Sequence, residues 1–334
     1  MEDTIVNEHS LEVLSQYDIV VEKTARGRGT YLVWTDKGIY QLFEYNGTEA
    51  RLDFERKLLS YIIDTGFYNV DLLYKTKEDE LLCRDFYGTK YILKRAFNGK
   101  ECDLKKDMDI FKAIDMLAQL HLLTEHIENE DLRKYGNNST SLIENYQKHN
   151  KEMSRVRKFI RNKNRRTKFE YDILEKFDEY YGYAVDAYMA LCESEYNNLR
   201  DDALRNFSIC HGTYNYHNVV MLDKDVAVVN FDHANVNMQL EDVYFFVRKV
   251  MEKHDWNVKL GYQMINRYSA IKPISDVEWQ VFKIMLMYPE KYWKVLNQYN
   301  NARKSWIPDK NACKLQAVYD KQKLKMEFVK RIWI

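Results

Sequence analysis

Near Gly99 the hydrophobic pattern of this 334-residue chain changes period, and that change limits the available folds more than any other feature. Before it, short β-rich runs alternate with turn signals. Thr30–Thr35 (TYLVWT) and Ile39–Tyr45 (IYQLFEY) read as two strands joined at Asp36-Lys37-Gly38, a hairpin signal. Leu52–Ile63 has helical spacing, with Phe54, Leu58 and Ile62 on one face and Leu59 beside them. Three more strands are predicted at Asp71–Tyr74, Glu80–Tyr87 and Tyr91–Phe97. After about residue 103 the period becomes helical. Ile110, Ile114, Leu117 and His121 form a stripe within Asp107–His126, and Glu170–Leu199 reads as one helix. Ser141 with Glu144 and Ser275 with Glu278 have the spacing of capping boxes. A strand pair interrupts the helices at Val219–Met221 and Val226–Phe231. The expected class is α+β: a small antiparallel β lobe with one helix over residues 1–97, a hinge at 98–103, and a larger helical lobe over 104–334.

Composition narrows the class. With 46% hydrophobic residues and three prolines, the chain has little room for disordered linkers. Lys+Arg and Asp+Glu are 51 each, so no global charge points to nucleic acid or a membrane surface. No apolar run reaches the roughly 18 residues of a bilayer span, and the polar start MEDTIVNEHS argues against a secretory signal. Five scattered cysteines without a CxxC pair read as reduced thiols of a protein made in the cytosol.

The chemistry concentrates in ICHGTYNYHNVVM, Ile209–Met221. A strand-like run ends in His211-Gly212, and Asn218 follows seven residues after the His, the frame of a phosphoryl-transfer loop. With the β-to-helix switch, this HGxxxxxN loop resembles the aminoglycoside-phosphotransferase branch of the kinase-like fold. A narrower resemblance is to the CotS-type spore coat proteins. It rests on TDKGIY (Thr35–Tyr40), GKECD (Gly99–Asp103), HGTYNYHNVV (His211–Val220) and VVNFD (Val228–Asp232). FFVRKVMEKHDW (Phe245–Trp256), YPEKYWKV (Tyr288–Val295) and WIPDKN (Trp306–Asn311) extend it to nearly the whole chain.

Phosphoryl transfer requires positioned positive charge and metal-binding carboxylates. The resemblance places the phosphate-holding Lys at Phe43, which leaves Glu55 on the following helix without an obvious partner. Thr213 stands where the loop carboxylate would be and cannot accept a proton near neutral pH. Asn218 and Asn230 occupy the two metal-ligand positions, the second in place of an Asp. Three charged positions are neutral at once, which argues against efficient catalysis. A compensating arrangement is open: Asp232, two residues on, shares a face with Asn230 if the backbone stays extended, and His217 is the candidate base. Otherwise Asp232 caps the next turn and His217 bonds the loop backbone. Adenine contact would fall to hinge backbone near Lys94 and Phe97.

Other features have plainer readings. Arg26-Gly27-Arg28-Gly29 reads as a turn, with phosphate cradling as the alternative. His121 reads as a satisfied core histidine and His211 as a brace for its loop. Asp242 reads as a helix N-cap that could also reach the loop. The basic run at 151–168 is a solvated face or a site for an acidic partner, and no base-stacking motif supports nucleic acid. The 26 tyrosines suit contacts or oxidative cross-links in an assembly, or ordinary half-burial.

The resulting expectation is a spore coat component with a kinase-like fold and impaired catalysis, acting with other coat proteins, made in the cytoplasm and placed in the coat. No cofactor is expected unless the cleft functions, in which case it takes ATP and Mg²⁺. The rivals are an active ATP/Mg-dependent phosphotransferase using Asn218 and Asp232 for metal, and a nucleotide-binding pseudokinase that switches shape without turnover.

Overall fold

The computed structural model describes residues 8–27, 29–135, 139–302 and 309–332. Arg28 of the Arg-Gly-Arg-Gly turn and the first half of WIPDKN lie outside these. Along the chain run β1 (Val21–Arg26), β2 (Tyr31–Thr35), β3 (Gly38–Glu44), α1 (Glu49–Asp64), β4 (Leu73–Tyr74), β5 (Cys83–Arg84), β6 (Lys90–Arg95) and β7 (Lys100–Glu101). Then follow α2 (Asp107–Leu123), α3 (Glu130–Tyr135), α4 (Leu142–Arg161), α5 (Lys168–Glu193), α6 (Tyr196–Arg205), β8 (Ile209–Cys210), β9 (Val219–Met221), β10 (Val226–Val228) and β11 (Asn235–Val236). Five helices close the chain: α7 (Leu240–Lys253), α8 (Val258–Ile271), α9 (Asp276–Met287), α10 (Glu290–Asn301) and α11 (Asp309–Arg331).

These pack into two compact units whose borders do not follow chain order. The first comprises Met1–Met116, His126–Asn137 and His211–Asn235; the second comprises Leu117–Glu125, Asn138–Cys210 and Val236–Ile334. The 98–103 segment, expected as a hinge, falls inside the first unit, as does the loop after His211.

In the first unit an antiparallel sheet runs β1-β2-β3-β6-β4, with β5 also on β6. Thr35 pairs with Gly38 across the Asp36-Lys37 turn, closing the hairpin that the turn signal predicts. Tyr40, Leu42, Tyr91 and Leu93 bury one face against Val13, Leu14 and Tyr17. The other face carries Ile92 with Phe43 against Leu52 of α1 and Leu73. β6 is therefore central and covered on both sides, and Lys94 lies within it. α1 begins before the expected Leu52, because Thr48 caps it by accepting from the Arg51 N–H. The expected strand at Glu80–Tyr87 shrinks to two residues of β5, and β1 has no counterpart in the sequence reading. A smaller sheet orders β10-β9-β7.

The second unit is helical. Glu170–Leu199 is two helices rather than one: α5 ends at Glu193 and α6 starts at Tyr196. Thr167 and Glu170 form a capping box at α5, and Ser275 and Glu278 form one at α9. Ser141 does cap α4, but by accepting from Ile143, without a reciprocal bond from Glu144. Many tyrosines are core residues: Tyr146 stacks on Tyr288 with centroids 3.7 Å apart, and Tyr180 on Tyr292 at 4.4 Å. His121 is buried, with Nδ1 2.7 Å from the Tyr268 hydroxyl and Nε2 3.4 Å from Asp242. Burial lowers its basicity, against the pull of Asp242. Asp242 lies in the first turn of α7, where Gln239 and not Asp242 is the N-cap.

Candidate functional site

The loop after β8 is shaped by its own side chains. Gly212 adopts φ +79°, and a Cβ there would lie 2.1 Å from the His233 carbonyl oxygen, so only glycine fits. His211 is buried; its Nε2 bonds the Val229 carbonyl at 3.0 Å and its Nδ1 accepts the Thr213 N–H at 3.3 Å. This is the brace expected of it, and the two bonds together specify the Nε2-protonated tautomer. The Tyr214 hydroxyl donates to the Ala113 carbonyl at 2.6 Å. Asn218 donates its carboxamide N–H to the Thr213 carbonyl at 3.0 Å. That bond orients the amide, turning its oxygen toward Asn230, whose own carboxamide N–H donates to it at 2.8 Å.

Asn230 has φ +65°, a left-handed conformation uncommon for a side-chain-bearing residue. Its backbone N–H is held by Asp71 Oδ2 at 2.8 Å. Phe231–His233 then forms a 3₁₀ turn. The extended backbone that would place Asp232 and Asn230 on one face is therefore absent. Asp232 sits within that turn, its side chain about half exposed and 3.4 Å from His233 Nε2. Arg51 of α1 holds its carbonyl oxygen with two N–H groups, at 2.8 and 2.6 Å. His217 bonds neither the loop backbone through its ring nor any group of this cluster; its Nδ1 is 2.6 Å from Glu101 of β7.

The cation beside this cluster comes from β6. Gln41 of β3 faces Lys94, and Phe43 faces Ile92 two pairs along. Phe43 lies on the α1 side of the sheet, with its ring centroid 5.8 Å from Lys94 Nζ. Glu55, for which the sequence offered no partner, bonds directly to the Lys94 ammonium. Asp71 lies 3.7 Å from the same ammonium, and the three side chains are 3%, 1% and 2% exposed for Lys94, Glu55 and Asp71. Burial alone would push the Lys94 ammonium down, but Asp71 and Glu55 outweigh it and hold it well above its ordinary value. Burial raises the Asp71 carboxyl to about 7, against the opposing pull of Lys94. Its Oδ1 is buried without a hydrogen-bond partner among the described residues. Backbone N–H groups beside Lys94 serve the sheet: Arg95 donates to Leu72 and Ala96 to Ile39, while Phe97 accepts from Gly99.

A continuous chain of contacts thus runs Lys94–Asp71–Asn230–Asn218–Thr213. Of the residues singled out from sequence, it gathers Thr213, Asn218, Asn230 and Lys94, with Glu55 and Phe43 beside Lys94. It leaves His217 and Phe97 outside. Asp71 and Arg51 were not singled out; Asp71 was read only as the first residue of a strand. Among the described residues, the oxygen groups around Asn218 and Asn230 are two carboxamides bonded to each other, the exposed carboxylate of Asp232, and Asp71, whose carboxylate is engaged by the Asn230 N–H and Lys94. That set fits Mg²⁺ poorly, since the ion favours several hard, mostly anionic oxygens.

An aminoglycoside phosphotransferase from Alicyclobacillus acidocaldarius superposes with a TM-score of 0.83 at 16% identity, covering 96% of this chain and 93% of that one. The AMP-bound spectinomycin phosphotransferase APH(9)-Ia superposes at 0.70 with 11% identity, over 97% and 98%. At such identities the likeness establishes an aminoglycoside-phosphotransferase-like fold. Spore coat protein S of Bacillus subtilis is 19% identical over 166 residues, 49% of this chain and 47% of that relative, so the match spans about half its length. The family described as "Spore coat putative kinase YutH" matches residues 10–332, and the chain belongs to that family.

Proposed function

We propose that this protein is a catalytically impaired kinase-fold component of the spore coat, structural or binding in role, whose partners are other coat proteins. The observation that carries the reading is the bond between the Asn218 and Asn230 carboxamides, which occupies the oxygen a metal would need. Thr213 beside it offers no carboxylate. The nearest buried cation, Lys94, is already flanked by two carboxylates and is 3% exposed. A triphosphate would therefore meet little uncompensated positive charge. Membership of a spore coat family supports placement in the coat.

One observation favours an active phosphotransferase. Lys94 and Glu55 make a Lys–Glu pair of the kind phosphoryl transfer uses, with the Lys drawn from a different strand. In that reading Asp232 joins Asn218 at the metal, and Asn230 must let go of Asn218 for nucleotide to enter. Calorimetric titration with ATP, with and without Mg²⁺, separates the two. The impaired reading expects weak binding at best and no strengthening by Mg²⁺. A low-micromolar dissociation constant that requires Mg²⁺ and is abolished by Asp232→Ala would establish the enzyme instead.

A further inference from the structure

The basic run centred on α4 has no role in the contacts described above. The buried face of α4 is Leu142, Tyr146, Asn150, Met153, Val156 and Ile160. Lys148, Lys151, Arg155 and Lys158 are all exposed, and their spacing of three, four and three residues sets them in one line on the helix. At 1.5 Å per residue the line is about 15 Å long. Arg161, Arg165 and Lys168, also exposed, continue the charge past the helix end.

The cations of this run fall into two groups. Arg157 pairs with Asp178 at 2.6 Å, Lys163 with the buried Glu170 at 2.5 Å, and Arg166 closes the end of α4 through the Ile160 carbonyl at 2.8 Å. Those three hold the second unit together. The side chains of Lys148, Lys151, Arg155 and Lys158 have no ion pair or hydrogen bond among the described residues. Glu152, the acid within the run, turns its carboxylate to the Trp293 indole N–H at 2.8 Å and makes no ion pair with these four among the described residues.

An unpaired line of like charge works against its own helix, since same-sign neighbours at three and four residues weaken it. The helix dipole favours cations only in the last turn, which covers Lys158 and Arg161. Lys148, Lys151 and Arg155 gain nothing from it. We propose that this face of α4 docks an acidic segment of another polypeptide, one that presents three or four carboxylates in a line. The cations are about 4.5–6 Å apart along the axis, which matches carboxylates three or four residues apart on a helix or on alternate residues of an extended strand. No exposed large hydrophobic residue lies on α4. The face therefore offers neither a stacking platform for bases nor an apolar edge for a bilayer. This docking goes beyond the reading of the Asn218 region and holds whether or not nucleotide binds there.

The test is fluorescence anisotropy of a labelled oligo-glutamate peptide at low and at physiological salt. The quadruple variant Lys148→Glu, Lys151→Glu, Arg155→Glu, Lys158→Glu reverses the line. Lys105→Glu, Lys106→Glu, Lys224→Glu and Lys259→Glu together change net charge equally at exposed positions outside α4. A version of the first variant with Gln at the four positions removes the charge without adding repulsion, should the reversal impair folding. The expected result is salt-sensitive binding by the parent, weakened roughly tenfold or more by either α4 variant and within about twofold by the control. Absence of binding by the parent overturns the proposal, as does equal weakening by both sets of glutamate variants. Tighter binding of single-stranded DNA or phosphatidylserine vesicles through the same four residues also overturns it, and assigns the face to that partner.

Discussion

Asp71→Asn isolates the electrostatic strain in the sheet. In the folded protein one ammonium, Lys94, sits between two carboxylates, and burial raises the Asp71 carboxyl to about 7. An unfolded Asp titrates near 3.9. Folding therefore favours the protonated form. Its contribution is complete below about pH 4 and is lost as pH rises through about 7. A rise of that size corresponds to about 4 kcal/mol, of which more than half falls between pH 5 and pH 8. Asn at 71 keeps an oxygen for the Asn230 N–H and leaves Lys94 paired with Glu55 alone. The variant should gain stability relative to the parent on going from pH 5 to pH 8, by on the order of 2 kcal/mol. Two compact units need not unfold together, so the assay should be local: amide hydrogen exchange in peptides covering β3 and β6. Comparing parent with variant cancels other titrating groups, such as Glu241, which burial raises to about 8. A parent–variant difference that is the same at both pH values to within about 0.5 kcal/mol would refute the idea that Asp71 is held protonated by burial.

Three further outcomes follow from the same contacts. Lys94→Met leaves Glu55 and Asp71 buried without their cation and should cost about 3–5 kcal/mol at pH 8 and less at pH 5, where Asp71 is protonated, as read by the same exchange measurement. Gly212→Ala drives a Cβ against the His233 carbonyl in a left-handed backbone; it should lower the melting temperature sharply by calorimetry, whereas the exposed Gly88→Ala, which meets nothing, should cost far less. The triple change Phe43→Lys, Thr213→Asp, Asn230→Asp restores one cation and two carboxylates, and it also removes the donor that engages the Asn218 oxygen. It should fold and show a larger thermal shift with Mg·ATP than the parent, and an equal negligible shift in both would indicate that the region is closed to nucleotide for reasons other than charge.

What was legible in the sequence was local. The β2–β3 hairpin, the change to helices after residue 103 and the Ser275–Glu278 box each depend on a few neighbouring residues, and each formed. Local signals also failed where a competing partner was close by: Ser141 has capping-box spacing yet bonds Ile143, and the helix predicted through Leu199 breaks after Glu193. The buried ammonium of Lys94 was the larger gap, since the sequence pointed only to the backbone near it. The residue stands in the run YILKRAF, where Lys94 and Arg95 side by side give no hint of which is buried, and its partner Glu55 is 39 residues away. Only the central place of β6, with α1 over one face, encloses that ammonium and forces two carboxylates upon it. The left-handed turn at Asn230 was equally hidden, because it is held by Asp71, 159 residues earlier. The sequence by itself determined which charges the loop lacks, since residue identity needs no neighbours. Which groups occupy the freed positions was decided by tertiary structure alone, because a buried polar group is satisfied by whatever the fold brings to it, however far off in the chain.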